Sequence, residues 1–581
     1  MDSGHRFLGD GRGNIAILFG LSFVPVMFLA GAAVDYGRAS ALRARLQNAV
    51  DGTALALCQT SLATTPAALE DQAAKLIAAY MPEGAALTAP LAISANPRII
   101  TVKAGATYRT AFASLLRVNT IPVGASSQCA TPMAQTFEIA IALDTTGSMD
   151  SAGGSGTKMA AARDAAKKFV DYVYSKPAFS PQTRISIVPF AGGVAVDPKT
   201  YGAATPWIDG AAKSAYHWTN VDFSAANATV KTALKSRFDL FDQLRKLDSG
   251  WGWAGCLETR PYPLNVQDTA PTPDNPNSYF VPMFAPDEPG GDTPNTVTLS
   301  GSLKVPGTHN DYTALSPSTQ RYINSYLDDN TNEPGCEAKT MTAPEAEMRA
   351  CKYYKPTSYA ATSKNALQLP NGPNNGCTSK PLQTLTTDTA KLKSLIDSLV
   401  AIGSTNIFEG FMWAWRTISP AGLFGQTSAY NDTTVRKVIV LMTDGENSWY
   451  PNTAFGLSNI HDSIFSPLSY MINGNGTRVS GSPGLPSRLV TGTGTPTSLA
   501  QARAALDALT REACTNAKAR NIAVFTIGFS VPSDPIDQAG IDLLRDCATA
   551  PGQAYVANSS TALMAAFDDI AKSIGKLRIV R

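Results

Sequence analysis

Residues Phe137–Ser148 read F-E-I-A-I-A-L-D-T-T-G-S. Apart from Glu138, Phe137–Leu143 is an apolar, β-prone run with no turn former, which predicts a buried strand. It ends abruptly in a polar cluster, Asp144-Thr145-Thr146-Gly147-Ser148. Working outward, Lys158–Tyr174 has helical periodicity and Arg184–Phe190 (R-I-S-I-V-P-F) reads as a second strand. The pattern stops near residue 200 and resumes at Thr387. From there it predicts a helix to about Ala401, a helix over Ile407–Ile418 and a strand over Arg436–Met442. After a Gly/Ser/Thr/Pro-rich loop at about 450–497 come a helix (Ser498–Arg520), a strand (Ile522–Phe529) and a helix near Ile541–Cys547. A short strand (Gln553–Val556) and a final helix (Thr561–Ile574) complete it. Such alternation implies an α/β fold: a doubly wound, mostly parallel sheet covered on both faces.

Ligands of open α/β sheets bind beyond the carboxyl ends of the strands. Three polar clusters fall at the same end: Asp144–Ser148, Gly403-Ser404-Thr405-Asn406 before the helix at Ile407, and Thr443-Asp444-Gly445-Glu446-Asn447 after the strand at Met442. Asp144, Thr146, Ser148, Thr405 and Asp444 supply two carboxylates and three hydroxyls, hard donors that suit Mg²⁺, Mn²⁺ or Ca²⁺. The i, i+2, i+4 spacing of the first three lets one tight loop aim them at one point, and Gly147 leaves the backbone room to turn. With few charged ligands the ion stays electrophilic, so an acidic side chain of a partner completes its shell. Glu409 and Glu446 lie nearby, and Glu409 is expected to favour a helix N-terminus.

D-T-T-G-S, G-S-T-N and T-D-G, in that order on those elements, resemble the von Willebrand factor type A domain and its metal-ion-dependent adhesion site. The resemblance implies Asp144, Thr146, Ser148, Thr405 and Asp444 as ligands, hydroxyls directly and one or both aspartates through water. The usual first loop is D-x-S-x-S; Thr146 replaces the middle Ser and keeps its hydroxyl. The domain would cover 134–200 plus 381–581, with 201–380 as an insertion. That insertion is rich in Pro, Asn, Tyr and Trp, with ten prolines in residues 261–306. Its aromatics Trp251, Trp253, Tyr262, Tyr279 and Phe280 are expected to form a small core rather than a binding surface.

Ile15–Val34 is a run of 20 residues without a charge. As a helix it spans about 30 Å, the thickness of a bilayer's hydrocarbon core. It exceeds the length of a signal-peptide apolar region, and Asp35-Tyr36-Gly37-Arg38 is no small-residue cleavage site. Leu42, Leu46, Ala49, Val50, Thr53 and Leu57 continue on one helical face, so an uncleaved anchor runs into an amphipathic helix. Residues 35–133 then read as that helix and a small α/β stalk, with a helix at Thr65–Tyr80 and strands at Leu91–Ser94, Arg98–Arg109 and Ile121–Gln128. G-N-I-A-I-L-F, G-A-A-V-D-Y-G-R and R-L-Q-N-A-V-D-G-T-A-L-A-L resemble the TadE/TadG-type proteins of tight-adherence (Flp) pilus systems. The TadG-like members join this anchor to a von Willebrand A domain. W-A-G-C-L-E-T-R-P (Trp253–Pro261) and F-M-W-A-W-R (Phe411–Arg416) fit the same resemblance. No Glu stands five residues after Gly11 or Gly13, which argues against prepilin-peptidase processing.

The 581 residues carry 48 Lys plus Arg against 46 Asp plus Glu, so no basic excess points to nucleic acid. A hydrophobic content of 44% at a mean hydropathy of −0.06 excludes both a disordered chain and a polytopic membrane protein. Four scattered histidines (His5, His217, His309, His461) and the absence of H-E-x-x-H, Walker A or a G-x-S-x-G with a matching Ser/His/Asp set argue against an enzyme. D-T-T-G-S also departs from the D-[ST]-G-[ST] of aspartic proteases by one Thr.

All eight cysteines follow the anchor: Cys58, Cys129, Cys256, Cys336, Cys351, Cys377, Cys514 and Cys547. None forms C-x-x-C. The arginines Arg38, Arg43 and Arg45 after the span weakly favour a cytoplasmic C-terminal side, but the cysteines outweigh them and predict an oxidising exterior with up to four disulfides. Four insertion cysteines permit three connectivities; Cys336 with Cys351 and Cys256 with Cys377 is the expected one, and Cys514 and Cys547 are placed to clip two helices. The expectation is a single-pass protein of the bacterial inner membrane with residues 1–14 cytoplasmic. It would bind other pilus assembly proteins or pilins through a divalent cation, Mg²⁺ foremost. The alternative is an adhesin binding host or matrix ligands directly.

Overall fold

The computed structural model describes residues 14–576 apart from 61–63, 96–97, 131–134, 155, 289–295, 299–323, 325, 328–333, 337–339, 343–346, 357–363, 426, 450–463, 471–487 and 489–498. The chain divides into two compact units, Met1–Ala134 with Lys176–Ala178 and Gln135–Ser175 with Phe179–Arg581.

The first unit opens with one long helix, α1 (Asn14–Cys58), which contains Pro25. Its first half is apolar and exposed, with Leu18, Leu21 and Leu29 more than half accessible. It is the one helix among the described residues long and apolar enough to cross a membrane. Its second half is amphipathic, and Leu42, Leu46, Ala49, Val50, Thr53 and Leu57 are all buried. Helix α2 (Pro66–Tyr80) begins where the Thr65 side chain accepts from Ala68 N, with Pro at the first turn. It buries Leu69, Ala73 and Ile77. Strands β1 (Ala86–Leu87), β2 (Ala92–Ala95), β3 (Arg98–Arg109) and β4 (Thr120–Ala130) form an antiparallel sheet around β3. Alternation along β3 places Ile100, Val102, Ala104 and Ala106 in one core with the buried faces of α1 and α2. The Cys58–Cys129 disulfide ties the end of α1 to β4.

The second unit contains β5 (Thr136–Asp144), α3 (Lys158–Ser175) and β6 (Arg184–Phe190). Within the insertion lie α4 (Ala228–Ala233), α5 (Arg237–Leu244) and the antiparallel pair β7 (Thr296–Thr298) and β8 (Thr340–Thr342). Then follow β9 (Gln383–Thr386), α6 (Thr389–Asp397), α7 (Ile407–Ile418), β10 (Val435–Thr443), α8 (Leu499–Lys518), β11 (Ala523–Phe529), α9 (Gln538–Cys547), β12 (Ala554–Ala557) and α10 (Ser560–Lys576). The sheet order is β12-β11-β10-β5-β6-β9. All neighbours run parallel except β9, which is antiparallel to β6. Phe137–Asp144 are buried without interruption, so both faces of this central strand are covered. Helices α3, α6 and α10 pack as one group and α7, α8 and α9 as another. The Cys514–Cys547 disulfide clips α8 to α9.

Strand β9 is absent from the sequence reading. Its four residues, Q-T-L-T, are half-buried at a sheet edge and carry too short a pattern to register. The expected loop at 450–497 falls largely outside the described residues.

The insertion has a core of its own, built on Leu240, Phe241, Trp251, Phe284, Tyr326 and Tyr353. Of the aromatics singled out in the sequence, Trp251 and Phe280 are buried and Trp253, Tyr262 and Tyr279 are half-buried. Its cysteines pair as Cys256–Cys377 and Cys336–Cys351. Three consecutive residues of W-A-G-C-L-E-T-R-P lock it down. Glu258 bridges two buried guanidiniums, Arg237 and Arg488. The Thr259 hydroxyl donates to Glu409 of α7. Arg260 donates to the carbonyls of Leu264, Gln267, Thr269 and Ser278 and lies 4.6 Å from the Phe280 ring centre. At its neck, Ala195 bridges both Cys256 and Pro381.

Candidate metal centre

Asp144 ends β5, fully buried, and Thr443 ends the neighbouring β10, where Met442 pairs with Leu143. Parallel register therefore brings two sequence-distant strand ends to one point. The Thr443 hydroxyl donates to Asp144 Oδ2 at 2.6 Å, and Thr146 N donates to Asp144 Oδ1 at 2.8 Å. The backbone then turns into a short 3₁₀ segment, Gly147–Asp150. Gly147 N donates to Gly403 O at 2.9 Å and Ile402 N to Thr145 O at 2.8 Å, which fastens D-T-T-G-S to the loop carrying G-S-T-N.

The predicted donors gather here. Thr146 Oγ1 and Ser148 Oγ are 3.0 Å apart, and Ser148 Oγ donates to Asp444 Oδ1 at 2.8 Å. Gly445 sits against the remaining hydroxyl: a Cβ added there would lie 3.7 Å from Thr405 Oγ1 and 3.9 Å from Ser148 Oγ. Thr405 is held through its backbone, which exchanges hydrogen bonds with Ser448 at 2.8 and 3.0 Å. Asn406 caps α7 by accepting from Glu409 N, and Asn447 accepts from Ile407 N at 2.8 Å. The T-D-G-E-N turn thus also closes the start of α7.

Glu409 occupies the first turn of α7, but its carboxylate faces the insertion: it accepts from Thr259 and stands 3.9 Å from Arg416. Glu446 is partly exposed and pairs with Arg503 at 3.2 Å.

One participant escaped the sequence reading. Lys158, the first residue of α3, is fully buried, and its ammonium donates to Asp444 Oδ2 at 2.9 Å and to Asp534 Oδ2 at 2.7 Å. The signal was present: Lys158 shares the apolar face of α3 with Ala162, Ala165 and Phe169, where a lysine needs an anionic partner.

Burial pushes the Asp144 carboxyl up to about 7, and the charge of Asp444 adds to this against the hydrogen bonds from Thr146 and Thr443. Burial also raises Asp444, opposed chiefly by Lys158. Lys158 is shared between Asp444 and Asp534, and among the described residues no cation pairs with Asp144, which leaves a deficit of positive charge among oxygen donors. Among the described residues no three His, Cys, Asp or Glu cluster to hold a metal by themselves. The donor set here is instead two carboxylates plus hydroxyls, and with its charge deficit it fits a hard divalent cation.

The sign of the pH effect follows. Asp144 folds with a pKa above its ordinary 3.8, so the metal-free protein loses stability from this group as pH rises from 3.8 to about 7 and nothing further above that. A cation competes with the proton, so Mg²⁺ should raise the thermal midpoint clearly at pH 8 and hardly at pH 5. Equal increments at the two pH values would contradict this reading of Asp144.

No curated protein matches the chain significantly. Among solved structures, the von Willebrand factor domain of the type V pili tip protein Mfa5 from Porphyromonas gingivalis is similar at 12% identity and a TM-score of 0.30, covering 77% of this chain and 98% of that one. The pilus adhesin RrgA from Streptococcus pneumoniae aligns at 10% identity and a TM-score of 0.30, over 84% of this chain and 49% of its own. The pilus adhesin SpaC from Lactobacillus rhamnosus GG aligns at 10% and 0.29 over 85% of this chain, which spans only 34% of SpaC. In sequence, residues 13–57 match the Tad family, described as Flp pilus-assembly TadE/G-like.

Proposed function

We propose that this chain is a membrane-anchored component of a tight-adherence (Flp, type IV-like) pilus system, which captures a protein partner through a divalent cation. The observation that carries the proposal is the convergence of Asp144, Thr146, Ser148, Thr405 and Asp444 at the carboxyl end of a parallel sheet. The Tad-family match at 13–57 supplies the biological setting. In this reading the second unit is a doubly wound von Willebrand A domain of the TadG-like kind. The strand order and the two helix groups support that assignment.

Thr146, Ser148 and Thr405 would hold the ion through their hydroxyls, with Asp144 and Asp444 supplying charge. The ion, Mg²⁺ foremost, would offer an electrophilic position to a partner's carboxylate. The chain's own residues prepare that position. Thr443 and Thr146 N fix Asp144, Lys158 fixes Asp444, and the Gly147–Gly403 bond sets the spacing between loops. We propose binding without catalysis. Residues 15–34 would span the inner membrane with the N-terminus cytoplasmic. The four disulfides support placing the remainder in an oxidising compartment.

Metal removal tests the reading. Purified full-length protein should take up one equivalent of Mn²⁺, seen as loss of the free-ion electron paramagnetic resonance signal. It should also bind purified pilus components in Mg²⁺ and release them in EDTA. Binding that persists unchanged in EDTA would rule out the metal-dependent mode.

A further inference from the structure

The first unit carries a second apolar element beside α1. Residues Ala111–Val118 form a tight loop containing the 3₁₀ turn Ala113–Leu116. Four of its side chains are large, apolar and open: Phe112 at 45%, Leu115 at 71%, Leu116 at 56% and Val118 at 48% accessibility. Clusters of this kind mark interaction surfaces.

The loop is rigid. Arg117 N donates to Ser114 O and Val118 N to Ala113 O, while Thr110 N donates to Asn119 O across its base. Buried Asp35 pins it to α1, accepting from Ala111 N at 2.9 Å, Phe112 N at 2.8 Å and Ala113 N at 2.7 Å. Phe112 also lies on Gly31, where an added Cβ would come within 2.6 Å of its own Cβ. The loop is therefore held at the level of Gly31–Asp35, where the uncharged run Ile15–Val34 ends. Its apolar side chains continue the exposed apolar surface of α1, which includes Leu29 and Val34.

The exposed charges that flank it in sequence are basic. No acidic residue occurs between Glu83 and Glu138, and Arg38, Arg109 and Arg117 are exposed. Asp35, the acid nearest the loop, spends its oxygens on the loop's own N–H groups. Such a surface suits the headgroup boundary of an anionic bilayer, with hydrocarbon below and phosphates beside the arginines.

We infer that the Ala111–Val118 loop inserts Phe112, Leu115, Leu116 and Val118 into the membrane interface next to the anchor. The α/β unit would thus be seated on the bilayer at two points. This rests on the reading of α1 as a membrane anchor.

All eight native cysteines are in disulfides, so a cysteine introduced by substitution is the one reactive thiol. Full-length Leu116→Cys, Val26→Cys and Thr88→Cys variants are labelled with a fluorophore in phosphatidylethanolamine/phosphatidylglycerol vesicles. They are then quenched by lipid-borne nitroxide or aqueous iodide. The expected result is lipid quenching and iodide protection at positions 116 and 26, with the reverse at exposed position 88. An iodide-accessible label at 116 beside a lipid-quenched label at 26 would overturn the inference and leave the anchor intact. Iodide access at both would overturn the anchor as well. Protection of position 116 that appears only after other pilus proteins are added would assign the loop to a protein partner instead.

Discussion

Asp144→Ala should abolish cation uptake and partner capture while leaving the second unit folded. Of the five residues proposed to hold the ion, Asp144 is the most completely removed from water, and it contacts both the Thr146 backbone and Thr443. Its loss deprives the site of a charge that nothing else nearby replaces. Metal affinity should fall by at least about 100-fold, since removing even an outer partner of a ligand costs 10–100-fold. The fold should survive because two effects oppose. Thr443 Oγ1 and Thr146 N lose an acceptor, at about 1–3 kcal/mol. The variant also relieves Asp444 of a buried like charge. In cells, pilus biogenesis should fail, scored by electron microscopy. Normal piliation with lost surface binding would favour the direct-adhesin alternative. Unchanged Mn²⁺ uptake by the purified variant would remove Asp144 from the site.

The largest stability effect is expected at Glu258, far from any ligand role. Its two oxygens pair with Arg237 and Arg488, and all three side chains are at most 1% exposed. Glu258→Ala leaves two guanidiniums in a low-dielectric interior with no carboxylate between them. Breaking a buried pair from one side costs about 3–5 kcal/mol, and here two pairs share one acid. Glu258→Gln preserves shape without charge and should recover only a minor part. Denaturant unfolding of the full chain measures this. A loss below about 1 kcal/mol would show that the insertion is held by its core and disulfides rather than by this acid.

These two positions differ in how visible they were in sequence. Asp144 announces itself, because it directly follows the apolar run Ile139–Leu143 and opens a cluster of hydroxyls at i+2 and i+4. Most strands and helices of both units are readable in sequence: complete burial produces long apolar runs, and one-sided burial produces the spacing seen in α1 and α3. Edge strand β9 is half-buried and four residues long, so neither signal arises. Lys158 was hidden by its type, since lysines usually face solvent and only its helical register betrays it. Glu258 and Glu409 find their partners across a segment with little periodicity, so their pairings become visible only in three dimensions. The position of Ala111–Val118 at the end of the apolar helix was equally hidden. It depends on Asp35 reaching across more than 70 residues to three backbone N–H groups.

The neck of the insertion has a consequence for how this chain can change. Ala195 meets Cys256 on one side and Pro381 on the other, and Leu382 N returns to Ala195 O at 2.8 Å. Beyond the neck the contact widens: Trp207, Ile208, Leu257, Val266 and Phe280 share one core with Phe190, Trp413 and Ile439. Loop closure depends only weakly on loop length, so a length change in the insertion should cost little where it spares this shared core, and much where it removes Trp207 or Phe280.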